Sequence, residues 1–320
     1  MKGPALIAVV AALGIGYADQ QPQFKASVSA VRLEVSVTDE RGAVRGLRHD
    51  DFVVHDSGVR QVVRIEESAD AALDVVLVAQ PMSSIAYTSG RFIRDEAAFV
   101  DTDQISRVTA GLSAFLAEVQ ERDRLGVVLA GAPPSRLRSL DFGRPAFDVT
   151  AFAGGNYAAP FDAIAAALRE FPESDRRRAL VAFTNAADFR SIISFGALAE
   201  MARRLGPRFV LVGTTVKVDE ATDASAITTS GKQIGDTVRG SVSGSILPWP
   251  LQLLARRTGG ITVNLGSGDP RQLIDGMFKW LRTQYVVSYE PPAGKGWHPV
   301  SVTTNRRGAK VTARDGYFVD

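Results

Sequence analysis

Four stretches of this chain, residues 75–79, 125–130, 179–183 and 209–215, are short apolar runs with no regularly spaced polar face. A strand that is wet on one side alternates polar with apolar residues, so unbroken runs belong to strands covered on both sides. Segments of helical period lie between them. Ile105, Val108, Leu112, Phe115, Leu116 and Val119 recur at intervals of three and four, with Asp101 or Asp103 available as an N-cap. Residues 158–168 and 197–205 are shorter helical candidates. A further helix over 249–257 stops at Thr258-Gly259-Gly260, and Asp269-Pro270 opens another carrying Leu273, Ile274, Met277, Phe278 and Leu281. Buried strands alternating with helices imply right-handed crossovers, hence a doubly wound, Rossmann-type α/β fold with a mainly parallel sheet.

The flanks of that core have a different texture. Val31, Leu33, Val35 and Val37 alternate with Arg32, Glu34, Ser36 and Thr38, which predicts a strand with one wet face. Apolar runs at 52–54 and 62–65 flank the turn residues Asp56-Ser57-Gly58. After the core, runs at 285–289, 300–304 and 310–313 predict β structure again. Isolated hairpins are marginal in water, so the two flanks are expected to pack together. The resulting division is an N-terminal β unit at 30–66, an α/β domain at 72–283 and a C-terminal β hairpin region at 284–320. Residues 217–247, rich in Ser, Thr and Gly without a periodic apolar face, are expected to form a long flexible loop.

The chain has 320 residues, 45% hydrophobic and 22% charged, which suits folded units rather than a disordered chain or a multi-span membrane protein. A formal net charge of +2 gives no case for nucleic acid. There is no cysteine, which removes disulfides, thiolate metal sites and cysteine nucleophiles. Residues 1–18 have the pattern of an export signal: Lys2, an apolar run over 5–13, and the small residues Gly16 and Ala18 flanking Tyr17 before Asp19. A polar linker over 19–29 follows. The body of the protein is therefore expected to be exported, whether periplasmic, secreted or cell-surface, with membrane contact only if the signal segment stays uncleaved.

Five segments in order, "SVTDERGAVRGLRHDDFVVHDSGVRQ", "LDVVLVAQPMSS", "LQLLARRTGG", "LRTQYVVSYEPP" and "VTARDGYF", together resemble the exported bacterial von Willebrand factor A-related proteins. The resemblance covers nearly the whole chain after the signal. It implies a von Willebrand factor type A-like domain with flanking β segments, and a metal-ion-dependent adhesion site at the carboxyl ends of the parallel strands. That site's pattern is D-x-S-x-S in a first loop, Thr in a second and Asp in a third, all oxygen donors suited to magnesium. Here Gln80 stands at the Asp position, Met82 at the first Ser, and only Ser84 matches. Ala158 replaces the Thr, and Asn185 replaces the last Asp. An amide oxygen brings no formal charge to hold a cation that dehydrates reluctantly. The site is expected to be degenerate, with no metal and no cofactor; magnesium binding would need rescue by Asp188 or Ser83, or by a carboxylate supplied by a partner.

Other constellations are weaker. His49, His55 and His298 lie in no ligand spacing and are expected to be exposed. Gly231-Lys232 lacks the first glycine and the hydroxyl residue of a phosphate loop, and Gly266-Ser267-Gly268 reads as a capping turn. Arg176-Arg177-Arg178 and Arg203-Arg204 are expected to be solvated surface, with a basic patch for envelope polymers or anionic lipid as the alternative. No nucleophile sits with a base at a recognised spacing. These points lead to a non-enzymatic protein-binding or scaffold module of the cell envelope. Its partner is a protein rather than a nucleic acid or a small-molecule substrate, bound at loops containing Gln80, Met82, Ser83, Ser84, Asn156, Asn185 and Asp188. A divalent-cation-dependent adhesin with altered ligands and an envelope hydrolase are the alternatives.

Overall fold

The computed structural model describes residues 30–68, 70–81, 102–152, 158–174, 176–184, 188, 190–213, 216–217, 245–246 and 249–319. The chain opens with β1 (Val31–Asp39), β2 (Gly42–Ala43), β3 (Phe52–Asp56), β4 (Val59–Arg60) and β5 (Arg64–Ser68). The core follows as β6 (Leu73–Ala79), α1 (Thr102–Glu118), β7 (Arg124–Leu129), β8 (Ser135–Phe142), α2 (Pro160–Leu168), β9 (Arg177–Phe183), α3 (Phe195–Leu205) and β10 (Arg208–Gly213). A two-residue ribbon, β11 (Val216–Lys217) with β12 (Ser245–Ile246), precedes α4 (Trp249–Arg257), β13 (Thr262–Asn264) and α5 (Pro270–Arg282). The chain ends with β14 (Gln284–Tyr289), β15 (Gly296–Thr304), β16 (Lys310–Thr312) and β17 (Gly316–Val319).

The core sheet has the order β13-β10-β9-β6-β7-β8 and is parallel except for the antiparallel edge strand β8. Its centre explains the unbroken apolar runs. Every residue of β6 is buried, and successive side chains of a strand point to opposite faces. Val75 and Leu77 enter one core with Leu112 and Phe115 of α1 and with Ile274 and Phe278 of α5. Val76 and Val78 enter a second core with Ile164 of α2, Leu198 of α3 and Leu254 of α4. The fold is therefore a doubly wound α/β sheet. Edge strand β8 was not foreseen, because its Ser-Arg-Leu-Arg-Ser-Leu-Asp-Phe text is largely exposed and carries no continuous apolar run.

Local chemistry ends the helices as the sequence suggests. The Ser194 side chain accepts from the Ala197 amide to cap α3, Gly206 closes that helix at φ +76°, and Asp269 caps α5 ahead of Pro270. At Gly260 a Cβ would lie 1.8 Å from the Phe209 carbonyl oxygen, so glycine is what lets the chain leave α4 against β10.

The flanking strands build two further sheets, β16-β1-β14-β5 with β2 attached to β1, and β17-β15-β3-β4. They enclose one apolar cluster that includes Leu33, Val35, Phe52, Val54, Val287 and Val300. The turn at Ser57 and Gly58 joins β3 to β4, but the run that follows does not complete a hairpin: β5 crosses to the other sheet and pairs with β14. The C-terminal region is likewise not a hairpin. β14 pairs with β1, β15 pairs with β3 and β17, and β16 pairs with β1.

Two expectations of solvated side chains are revised: Arg203 is mostly covered while Arg204 stays half exposed, and His298 is buried. Arg203 and Arg204 lie with their guanidinium carbons 3.6 Å and 3.8 Å from the ring centres of Trp297 and Phe318, fastening α3 to the terminal sheet through cation–π contacts. His298 is buried rather than exposed, with Nδ1 3.2 Å from Oδ1 of the buried Asp56.

Candidate functional site

The parallel strands β6, β9 and β10 lie side by side and end at the same edge of the sheet. Gln80 leaves β6 with its amide donating to the Phe183 carbonyl at 2.9 Å, and Thr184 leaves β9 with its amide donating to the Val212 carbonyl at 3.1 Å. These backbone bonds place the two side chains side by side. The Thr184 hydroxyl donates to Gln80 Oε1 at 2.6 Å, and both residues are almost fully buried. The amide oxygen at the position of the first carboxylate ligand is thus already an acceptor within the protein.

Ala158, also fully buried, forms a bridge with Gly131 and offers only a methyl group. The N-terminus of α2 follows. Ser191 Oγ accepts from the amides of Phe161 and Asp162, both at 3.1 Å, so a serine from the next loop caps this helix across the face. Asp162 returns the contact: its carboxylate accepts from the amides of Ile192, at 3.0 and 2.9 Å, and Ile193, at 2.9 Å. Asp188 Oδ1 accepts from the amides of Arg190, at 3.2 Å, and Ser191, at 2.9 Å, while its Oδ2 is buried without a hydrogen-bond partner. The outcome is that Asp188 and the segment 190–193 are laced to one another and to the start of α2, with the Ile192 side chain 95% exposed.

Of the residues singled out in the sequence, the structure brings Gln80, Ala158 and Asp188 to this face. Met82, Ser83, Ser84, Asn156 and Asn185 lie outside the described residues, as does most of 217–247, including Gly231 and Lys232. Sequence reasoning missed Thr184, Ser191 and Ile192. Thr184 had one usable signal, a hydroxyl directly after a buried strand; for the other two nothing local marks the role.

Among the described residues, one amide oxygen is engaged by Thr184, one ligand position is a methyl, and Asp162 and Asp188 spend oxygens on backbone amides. Among the described residues no group of three or more His, Cys, Asp or Glu side chains is placed to hold a metal ion. The carboxylate–imidazole contact between Asp56 and His298 is enclosed in the sandwich, with Asp56 bonded to the hydroxyls of Tyr289 and Tyr317.

No protein-family model matches the sequence, and no curated protein matches it. Among solved structures, the chain is similar to a von Willebrand factor type A structure from Catenulispora acidiphila at 9% identity, covering 87% of this chain and 76% of that one with a TM-score of 0.42. It is also similar to an aerotolerance-related membrane protein from Bacteroides fragilis, at 13% identity over 65% of this chain and 98% of that one, TM-score 0.41. A third is the ArnB paralog VWA2 from Sulfolobus acidocaldarius, at 10% identity over 89% and 76% of the two chains, TM-score 0.38. These are likenesses at low identity, and none says what the residues of this chain do.

Proposed function

We propose that this chain is a non-enzymatic, von Willebrand factor type A-like binding module of the cell envelope that recognises a protein partner without a metal ion. The observation that carries the reading is the Thr184–Gln80 hydrogen bond, which closes the strand-end position on itself where a cation would need charged, open oxygens. The laced loop supports it from the other side. Ile192 is a large apolar side chain held out in solvent on backbone pinned by Asp162, so a partner would bury it without first ordering the loop. A rigid sheet presenting such loops is a common placement for recognition.

Two measurements test the two halves. Melting temperature in magnesium, manganese or calcium, against sodium chloride of equal ionic strength, is expected not to move. A divalent-specific rise at millimolar concentration restores the cation-dependent adhesin. Pull-down from envelope extract is expected to recover a partner that is lost when residues 80–84 are replaced by glycine and serine. Recovery that is indifferent to that replacement removes the strand-end loops as the binding face.

A further inference from the structure

At the opposite, amino-terminal end of the parallel strands, the core sheet meets the outer face of the β1-β14-β5 sheet across a cleft of about 470 Å³. Six arginines line it: Arg32, Arg176, Arg177, Arg178, Arg208 and Arg314. The acidic residues in its lining are Glu34 and Glu66, so positive charge is in large excess.

Part of this charge is structural. Arg176 donates to Asp74 at 2.6 Å, and Arg208 donates through Nε to Glu34 at 3.0 Å and through Nη1 to the Ser36 hydroxyl at 3.1 Å. Arg177 donates to the neutral carbonyls of Leu281, Arg282 and Gln284, and Arg314 to those of Gly316 and Arg203. These bonds tie the two units together and leave donors over. Arg208 is 97% buried, yet its Nη2 is enclosed without a hydrogen-bond partner. Arg178 and Arg314 converge over Gly206: a Cβ there would meet Arg314 Nη1 at 2.9 Å and Arg178 Nη2 at 3.7 Å. Burial holds the guanidinium groups of Arg177 and Arg314 below their ordinary pKa and brings Arg208 down to about 10, with Arg177 repelling Arg208 and Arg178 repelling Arg314.

We propose that this cleft is an anion-binding site for a compact oxyanion of the phosphate class, free or as a headgroup, held by Arg178 and Arg314, with the buried Arg208 charge behind them. A carboxylate is satisfied by one bidentate arginine, whereas a tetrahedral anion accepts donors from several directions at once. The site is independent of the strand-end face and survives failure of that reading.

The test is calorimetric titration of the purified protein with sodium phosphate and pyrophosphate at ionic strength fixed by sodium chloride. A flotation arm uses vesicles of phosphatidylcholine with or without phosphatidylglycerol. Arg178→Gln removes a guanidinium that makes no hydrogen bond or ion pair among the described residues; Arg208→Met is the more drastic variant, and the exposed Arg271→Gln is the control. Binding of a soluble anion, or flotation with phosphatidylglycerol alone, is expected for wild type and the control, the first pointing to a free anion and the second to a headgroup. Arg178→Gln is expected to weaken either about tenfold, the size of one lost charge-assisted bond. Without anion, its melting temperature is expected to equal or exceed wild type, because a repulsion is removed. Absence of both forms of binding, or equal binding by Arg178→Gln, overturns the proposal.

Discussion

The hydroxyl of Thr184 donates a 2.6 Å hydrogen bond to Oε1 of Gln80, joining the ends of the adjacent parallel strands β6 and β9 in a nearly dry environment. In such surroundings removal of one partner costs more than the bond contributes, because the other group keeps its desolvation penalty. Thr184→Val, which keeps the shape, is expected to lower the unfolding free energy by ~1–3 kcal/mol in urea denaturation. A change indistinguishable from zero would mean that Gln80 is satisfied without this hydroxyl.

Ile192 provides the matching test of recognition. Its side chain touches little of its own protein, so Ile192→Asp is expected to leave thermal stability within about 0.5 kcal/mol of wild type while abolishing partner capture. Unchanged capture would move the contact elsewhere on the strand-end face.

A buried ion pair joins the turn before β7 to the end of α5. Arg282 donates to both oxygens of Asp123 at 3.1 and 2.6 Å, and Asp123 also accepts from the amides of Leu73 and Gln120 at 2.9 Å each. Burial opposes ionisation of Asp123, but the arginine and the two amides outweigh it and hold the pKa below the ordinary carboxylate value. Asp123→Asn strands the buried Arg282 charge and is expected to cost ~3–5 kcal/mol, with Arg282→Met in the same chain recovering part of the loss. Equal stabilities of the single and double variants would deny the coupling.

Asp56 makes the sandwich sensitive to pH. Burial raises its pKa, but the hydroxyls of Tyr317, at 2.6 Å, Tyr289, at 2.9 Å, and Ser57, at 3.0 Å, together with the His298 ring, bring it below the ordinary value. A depressed folded pKa means stability that is present above the unfolded carboxylate pKa of ~4 and is lost as pH falls through the folded value. The two phenols shift upward, first by burial and then by Asp56, so their contribution fades as pH rises beyond ~10. Tyr289→Phe is expected to cost ~1 kcal/mol at neutral pH and to flatten the loss on the acid side. A parallel downward shift of the whole stability–pH curve would exclude the coupling to Asp56.

Much of the α/β core was legible because its signals are local. Unbroken apolar runs, three-and-four spacing and caps such as Ser194 and Asp269 act within a few residues of themselves. They place β6, β7, β9 and β10 and the five described helices to within a few residues. Gln80 and Ala158 were legible in the same way as departures from a family pattern, and the sequence alone shows that neither brings a charge to a metal. It could not show that Thr184 closes over Gln80, or that Ser191 and Asp162 lace two loops, since those contacts join segments 29 to 104 positions apart.

Pairing and burial in the flanks were decided by tertiary structure. The period of Val31, Leu33 and Val35 specifies a strand with a wet face, but not that Val31 will lie opposite Tyr289 or that β5 will leave its turn for β14. The arginines of 176–178 look like solvated charge in one dimension, and folding a second sheet against them turns them into the wall of a cleft. The physical reason is the same in each case: periodicity is set by backbone geometry along the chain, whereas desolvation depends on whatever surface arrives from far away in it.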